Sequence, residues 1–336
     1  LSQVRFEPLG VVLAVMPWNY PVWQILRFAI PALCAGNACA VKPAPSVARV
    51  SETLFSLIPK GLPLIGAWLN HEDTLKAIKD TDAMAFTGST HTGRLLAAHA
   101  GRHLKKNVLE LGGSNPFIIL PDADLQRAAI DACYSRFRDA GQSCNAAKRI
   151  VVTQDIAEQF IPLFLAECAK LQTGNPKDPN TTLAPLHRQD LRQTVHEQVE
   201  DAVTHGAQCL SGGYIPEGES WFYPATVLDQ INPNCRVWHE EVFGPVAMIL
   251  RADNPDHAVA LANDTPFGLG ACIYTADTAN AWQYAEKIQA GSVFINRHTS
   301  SDLRLPFGGV KASGYGRELS EFGLYEFVNV KTYWQK

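Results

Sequence analysis

The chain has 336 residues, of which 46% are hydrophobic and 18% are charged, enough for a buried core and about two domains. Its formal net charge of −4 is spread along the sequence without a basic stripe or an acidic tail, so neither nucleic acid nor a membrane is an expected partner. A small molecule is therefore the default partner. The eight cysteines form no CxxC pair and no Cys/His metal spacing, so we expect reduced thiols and no metal.

No signal-peptide pattern occurs, and the apolar runs are far shorter than the ~20 residues of a membrane span. The sequence therefore predicts a cytoplasmic protein. Because it opens at Leu1, inside a strand-like run and without a methionine, we expect an N-terminal segment to be missing, together with any targeting signal in it.

Short apolar strands alternate with helical patterns in the first third of the chain. In chain order we predict a strand over 10–17, a helix over 24–35, a strand over 38–42, a helix over 46–58, a strand over 83–88, a helix over 92–104 and a strand over 107–113. This βαβ rhythm predicts a parallel sheet with helices on both faces.

A second α/β series follows. We predict strands over 116–121, 149–152, 246–250 and 270–275, and helices over 125–138, 156–171 and 278–291. The predicted fold class is α/β, with two doubly wound lobes that meet near residues 112–113.

Glu110 interrupts the apolar strand "VLELGG". The carboxyl edge of a parallel sheet is where α/β proteins open their ligand crevice, and the paired glycines Gly112 and Gly113 permit close backbone approach. The alternative is a solvated glutamate at a strand end.

Two other strand ends carry polar groups. After "VMPW", Asn19 precedes a helix that begins around Pro21, where its amide is placed to stabilise an oxyanion; the alternative is an ordinary turn asparagine. In "FTGSTHTG", Gly88 and Ser89 open a helix whose N-terminus suits a pyrophosphate, although a plain turn has the same pattern.

Seven motifs occur together in one order. They are "MPWNYP", "VKPAPS", "FTGST", "LELGGSNP", "GQSC", "EEVFGPV" and "PFGGVKASGYGRE". Their order and spacing resemble the aldehyde dehydrogenase superfamily from about Val11 onward. Within it, "VMPWNYPVWQ", "CNAAKR" and "RELSEFGLYEF" are most similar to the bacterial succinate-semialdehyde dehydrogenases.

The resemblance implies a catalytic set. Cys144 would be the nucleophile, forming a thiohemiacetal and then a thioester, with room left beside the sulfur by the small residues of "AGQSC". Asn19 and the Cys144 N–H would stabilise the oxyanion, and Glu110 would activate the water that hydrolyses the thioester. The presence of Glu110 favours a carboxylate product over an acyl-CoA.

The resemblance also implies a Rossmann-type cofactor domain that binds NAD or NADP. The assigned residues are Trp18, Lys42, Ser46, Gly88, Ser89, Gly112, Glu241 and Phe243. Among them, Lys42 would bind the adenosine ribose and Glu241 the nicotinamide ribose. Strictly NAD-linked members often carry a glutamate three residues after the lysine; here Pro45 stands there, so we expect both cofactors to be used.

For the substrate, the resemblance implies an ω-carboxylate held by Arg27 and Arg138, with Ser301 as a weaker third candidate. The alternative for each arginine is an ordinary surface side chain. The expected reaction is oxidation of succinate semialdehyde to succinate; the alternatives are glutarate semialdehyde, an uncharged aldehyde, or a catalytically silent fragment. Ala146 replaces the second cysteine of some relatives, so no redox latch is expected.

The implied domains are an oligomerisation strand over 1–9, an incomplete NAD(P)-binding domain over 10–112, a catalytic domain over 113–309 and a C-terminal segment with a second oligomerisation strand over 310–336. The resemblance implies a homo-dimer or homo-tetramer. The alternative for the first strand is an edge strand that closes its own sheet.

Overall fold

The computed structural model of the chain describes residues 1–218 and 220–336. Its contacts divide the chain into two compact units. The first unit consists of Leu1–Gly112 and Ser301–Lys336, and the second consists of Gly113–Ser300. The chain thus leaves the first unit at 112/113 and re-enters it at 300/301, whereas the sequence-based division placed the second boundary at 309/310.

The first segment of the first unit alternates strands and helices. It contains β1 (Ser2–Pro8), β2 (Val11–Val15), α1 (Pro21–Cys34), β3 (Ala38–Lys42), α2 (Ala48–Ser56), β4 (Leu64–Gly66), α3 (His71–Asp80), β5 (Ala83–Thr87), α4 (Thr90–Arg102) and β6 (Lys106–Glu110).

The second unit continues the alternation. It contains β7 (Asn115–Ile119), α5 (Leu125–Phe137), β8 (Ala147–Thr153), α6 (Gln154–Cys168), α7 (Gln189–Thr204), β9 (Gln208–Ser211), β10 (Thr226–Asp229), α8 (Arg236–His239), β11 (Val246–Ala252), α9 (Pro255–Asn263), β12 (Gly270–Tyr274), α10 (Thr278–Ala285) and β13 (Ser292–Ile295). The chain then returns to the first unit with β14 (Gly314–Tyr315), α11 (Ser320–Tyr325) and β15 (Val328–Trp334).

Each unit is built on a mostly parallel sheet. Within the described residues, the sheet of the first unit has the strand order β14-β6-β5-β2-β3-β4, and that of the second has the order β13-β12-β7-β8-β11-β10-β9. The short strand β14 and the strand β9 pair antiparallel with their neighbours. The predicted α/β fold class is confirmed.

Successive side chains of the buried strands pack into separate core clusters on the two faces of each sheet. In β2, Val12 and Ala14 belong to the core cluster that contains α1 residues, whereas Leu13 and Val15 belong to the cluster that contains α4 residues. In β8, Ile150 lies in one core cluster and Val151 in the other. Because successive strand side chains point to opposite faces, strands apolar at every position require helices on both sides.

The strands β1 and β15 pair with each other antiparallel, from Ser2 opposite Trp334 to Pro8 opposite Val328. They form a two-stranded sheet on their own. Their predicted role in oligomerisation stays a prediction.

Candidate active site

The neighbouring strands β6, β5, β2 and β3 of the first unit bring predicted site residues to one edge of the sheet. In the parallel register, Thr87 lies opposite Glu110. The Met16 N–H donates to the Lys42 carbonyl oxygen at 3.0 Å, and the Gly88 N–H donates to the Glu110 carbonyl oxygen at 3.0 Å. Lys42, Gly88 and Glu110 therefore share the carboxyl edge of this sheet, where open α/β sheets bind ligands.

Trp18 and Asn19 lie in the short segment between β2 and α1, and both are half-buried. Helix α1 begins at Pro21, as the sequence predicts, because proline fits the first helical turn. Asn19 is therefore two residues from a rigid helix start, at the same strand edge as Glu110.

The turn after β5 opens helix α4. Ser89 is the N-cap, and its hydroxyl accepts a 3.3 Å hydrogen bond from the Thr92 N–H. Ser89 is exposed, and the first turn contains no acidic residue. The first N–H groups of a helix lack intrahelical acceptors and sit at the positive end of the helix dipole, so this end suits a phosphate group.

Two further predicted cofactor residues lie at the end of β3 and just after it. Lys42 ends the strand half-buried, and this burial lowers the pKa of its ammonium group. Ser46 is exposed within a single turn of 3₁₀ helix over Pro45–Val47.

Glu110 is not the solvated strand-end glutamate of the alternative interpretation, because its side chain is only 2% exposed. Neither carboxylate oxygen accepts a hydrogen bond from the residues that the structure describes. Burial raises its pKa well above the ordinary value, and the nearby Glu318 carboxylate adds to the rise, whereas Arg27 and Arg317 partly oppose it. Such a perturbed carboxyl group is a candidate general base.

The two residues that follow Glu110 are held by a serine that sequence analysis missed. The Ser313 hydroxyl donates to the Gly112 carbonyl oxygen at 2.6 Å, and the Leu111 N–H donates to the Ser313 carbonyl oxygen at 3.0 Å. Ser313 is fully buried. Its position in "VKASG" carries no local signal for this contact, which joins residues 201 positions apart.

Arg27 is also deeply buried, so the surface-arginine alternative is wrong. Its residue exposure is 4%, it forms an ion pair with Glu318, and its guanidinium carbon lies 4.6 Å from the centre of the Phe307 ring. The structure thus gives Arg27 an intramolecular carboxylate partner; its role toward a substrate stays a prediction.

In the second unit, Cys144 lies between α5 and β8 and is half-buried. A sharp bend precedes it, in which Asp139, Ala140 and Gly141 all have positive φ angles of 54°, 52° and 70°. A Cβ atom at Gly141 would meet the Gly244 carbonyl oxygen, so this position requires glycine. Non-glycine residues in this region cost about 1 kcal/mol or more each and cluster at functional sites.

The loop that carries Cys144 is fixed by hydrogen bonds on both sides of it. The Asn145 carbonyl oxygen accepts from Asn115 Nδ2 at 3.1 Å and from the Thr299 hydroxyl at 2.5 Å. The Lys148 ammonium donates to the carbonyl oxygens of Ser143 and Cys144 at 2.9 and 3.0 Å. The nucleophile candidate is therefore held on an ordered loop.

Glu241 and Phe243 lie just before β11, which pairs in parallel with β8. Cys144 precedes β8, so these candidates gather at the amino edge of this sheet, opposite to the usual ligand edge of α/β proteins. Glu241 Oε1 accepts from the Lys148 ammonium at 2.8 Å and from the Gly113 N–H at 3.1 Å. The Glu241 side chain is only 17% exposed, so this acidic segment is not a solvated loop.

Arg136 fixes the backbone of the same segment and was also missed. Its guanidinium donates to the carbonyl oxygens of Val246 at 2.7 Å, Val242 at 3.1 Å and Gly244. Burial lowers the Arg136 pKa to about 9. Because helix α5 also carries Arg127 and Asp131, no local pattern in the sequence distinguishes Arg136 from an exposed helix residue.

Arg138 and Ser301, the other predicted substrate residues, belong to different units. The Arg138 side chain is 32% exposed, lies 3.4 Å from the Asp139 carboxylate and has its guanidinium carbon 5.7 Å from the centre of the Tyr134 ring. Ser301 is half-buried.

None of the helices in the described part of the chain combines the length and apolar character that crossing a bilayer requires.

Proteins of similar sequence carry aldehyde dehydrogenase names. A protein of Paenarthrobacter nicotinovorans named aldehyde dehydrogenase is 46% identical over 98% of this chain and 74% of its own length. The succinate semialdehyde dehydrogenase (NAD(P)+) Sad of Escherichia coli K12 is 45% identical over 99% of this chain and 73% of its own length.

A solved structure of succinic semialdehyde dehydrogenase from Streptococcus pyogenes with NADP+ is 35% identical, covers 99% of this chain and 75% of its own, and has a TM-score of 0.95. The model of the aldehyde dehydrogenase family matches residues 1–333. This chain therefore belongs to the aldehyde dehydrogenase family.

Proposed function

We propose that this chain oxidises succinate semialdehyde to succinate with NAD+ or NADP+, through a thioester on Cys144 that water hydrolyses. The main support for hydrolytic aldehyde oxidation is Glu110. It is a buried carboxyl group with a raised pKa, at the strand edge where Gly88 and Lys42 also lie. The names of the E. coli and S. pyogenes relatives support the substrate.

Cys144 forms the first bond. Its thiolate attacks the aldehyde carbon, giving a thiohemiacetal whose oxygen carries the negative charge. The Asn19 amide and the Cys144 N–H donate hydrogen bonds to that oxygen. Loss of one such donor typically raises the barrier by about 3–4 kcal/mol.

NAD(P)+, when bound, accepts the hydride that converts the thiohemiacetal into a thioester. The residues fit such a group: the exposed Ser89 caps a helix N-terminus suited to phosphate, and among the described residues nothing donates to Glu241 Oε2, which leaves it for a ribose hydroxyl. The proposed binding residues are Trp18, Lys42, Ser46, Gly88, Ser89, Gly112, Glu241 and Phe243.

Glu110 completes the turnover. Its carboxylate takes a proton from a water molecule, and the resulting hydroxide adds to the thioester carbon and expels the Cys144 thiolate. The carboxylic acid so formed loses its proton to solvent and leaves as the carboxylate. A raised pKa makes Glu110 a stronger base than an exposed glutamate, because burial destabilises its charged form.

The acidic end of the substrate is proposed to bind Arg138, with Arg27 and Ser301 as further candidates. A guanidinium group matches a carboxylate with paired hydrogen bonds. Arg138 is the more accessible arginine, because Arg27 is engaged by Glu318. Glutarate semialdehyde and uncharged aldehydes remain the alternative substrates. Assembly into a dimer or tetramer and a cytoplasmic location also stay predictions.

The Glu110→Gln variant tests the hydrolytic step. Pre-steady-state mixing with succinate semialdehyde and NADP+ should give a burst of about one NADPH per site, followed by turnover reduced about 10²- to 10⁴-fold. A thioester on Cys144 should accumulate and be detectable by mass spectrometry. Unimpaired steady-state turnover in this variant would remove Glu110 from the mechanism.

A further inference from the structure

Lys148 connects the nucleophile loop to a predicted cofactor residue. It is the second residue of β8, and its side chain is completely buried. Its ammonium donates to the Ser143 carbonyl oxygen at 2.9 Å, the Cys144 carbonyl oxygen at 3.0 Å and Glu241 Oε1 at 2.8 Å. An ammonium group has three protons, so these contacts fix both its position and its orientation.

Glu241 is bound through one oxygen only. Oε1 accepts from both Lys148 and the Gly113 N–H, whereas Oε2 accepts from nothing within residues 1–218 and 220–336. Gly113 is required here, because a Cβ atom would lie 2.7 Å from the Cys144 carbonyl oxygen. The Lys148 ammonium therefore binds both Glu241 and the Cys144 loop, and Glu241 in turn binds the Gly113 N–H.

Burial lowers the Lys148 pKa, and the neighbouring Glu241 carboxylate opposes that change. A buried ammonium without a counterion loses its proton readily, so Glu241 preserves the positive charge of Lys148. That charge lies one hydrogen bond from the Cys144 backbone, and a nearby cation favours a thiolate over a thiol.

We propose that Lys148 is a positioning residue that ties the Glu241 carboxylate to the Cys144 loop, so that one ammonium group sets both the presentation of Glu241 Oε2 to the nicotinamide ribose and the ionisation of the Cys144 thiol. The first effect rests on the proposed function. The second does not, because it concerns the chain without cofactor or substrate.

The first experiment measures alkylation of Cys144 by iodoacetamide as a function of pH, without cofactor or aldehyde. Mass spectrometry of the peptide that contains Cys144 separates it from the other seven cysteines. In Lys148→Met, the pH midpoint of alkylation should rise by about one unit, which is about a tenfold loss of thiolate near neutral pH. In Glu241→Gln, Lys148 loses the counterion that preserves its positive charge, so the midpoint should also rise.

The second experiment measures NADPH binding by fluorescence titration. Both variants should weaken NADPH binding about tenfold. Lys148→Met removes the group that orients Glu241, and Glu241→Gln removes the carboxylate charge itself. The KM for the aldehyde should change less than twofold.

Arg149→Met is the matched control. Arg149 is the next residue of β8, is equally buried, and donates to the carbonyl oxygens of Trp238, Leu261 and Asp264 at 3.0–3.2 Å. This variant should lower the Tm but leave the pH midpoint of alkylation unchanged and the NADPH Kd within twofold of wild type.

Unchanged alkylation midpoints in folded Lys148→Met and Glu241→Gln would overturn the proposal, as would an equal shift in Arg149→Met. If Lys148→Met does not fold, Glu241→Gln decides on its own, because its side chain is partly exposed. If the midpoints shift as expected while wild type does not oxidise succinate semialdehyde, the proposed function fails and the Lys148 effect on Cys144 stands.

Discussion

Arg27 and Glu318 form an ion pair in which both side chains are almost inaccessible, with exposed fractions of 2% and 3%. Glu318 also raises the pKa of Glu110, and Arg27 lowers it. The pair therefore sets the electrostatic environment of the candidate base as well as stabilising the first unit.

Breaking this pair from one side should destabilise the protein. Arg27→Gln leaves the Glu318 carboxylate buried without its cation, and the expected loss in free energy of unfolding is about 3–5 kcal/mol. The double variant Arg27→Gln/Glu318→Gln removes both charges and should recover a large part of that loss. Urea unfolding of the three proteins measures this, and an Arg27→Gln variant as stable as wild type would contradict the buried pair.

Glu110 should cost stability at neutral pH. Its pKa in the folded protein is raised by burial and by Glu318, so the folded state binds the proton more tightly than the unfolded chain does. Stability therefore falls as pH rises from the unfolded pKa through the folded pKa, and it stays reduced above both.

Glu110→Gln removes that cost, so it should unfold at a higher temperature than wild type at pH 7.5 and at nearly the same temperature at pH 4. Calorimetry at the two pH values tests this. An equal difference at both would mean that the effect does not come from ionisation of Glu110.

Arg138 should determine preference for an acidic aldehyde. A hydrogen bond to a charged group contributes about 1.5–3 kcal/mol, so Arg138→Ala should lower kcat/KM for succinate semialdehyde by about 10- to 100-fold. An uncharged aldehyde of similar length should be affected less than twofold. The control is Arg188→Ala, an exposed arginine paired with Asp190. Equal losses for both aldehydes would show that Arg138 does not recognise the carboxylate.

Pro45 should permit the use of NADP+. In Pro45→Glu, a carboxylate is placed near the proposed adenosine ribose site, and like charges in close proximity cost several kcal/mol, so kcat/KM for NADP+ should fall by about tenfold or more. The value for NAD+ should be retained, and Pro45→Gln should change neither. A wild-type protein that uses NAD+ alone would contradict our interpretation of Pro45.

The parts of the site that sequence could predict are those with local signals. The carboxyl edge of the first-unit sheet could be predicted from short apolar runs that end in polar or glycine residues. The strand β6 ends at Glu110, three residues before its predicted end. Helix α7 was missed because its buried face includes Arg192 and Gln198, which break the apolar periodicity that identifies a helix.

The Lys148–Glu241 contact could not be predicted from local pattern. The two residues are 93 positions apart, and they meet because β8 and β11 are parallel neighbours. Similarly, the burial of Arg27 against Glu318 could not be predicted, because Glu318 lies near the other end of the chain. Pairings that depend on which strands become neighbours need the fold before they can be recognised.

The most direct test of the proposed activity is formation of reduced nicotinamide by the purified, folded chain with succinate semialdehyde, with NAD+ and NADP+ separately and without coenzyme A. NADH and NADPH should both form with succinate as product, and neither should form in Cys144→Ala. No reduced nicotinamide from the folded wild-type chain, or equal rates in Cys144→Ala, would contradict the proposed activity.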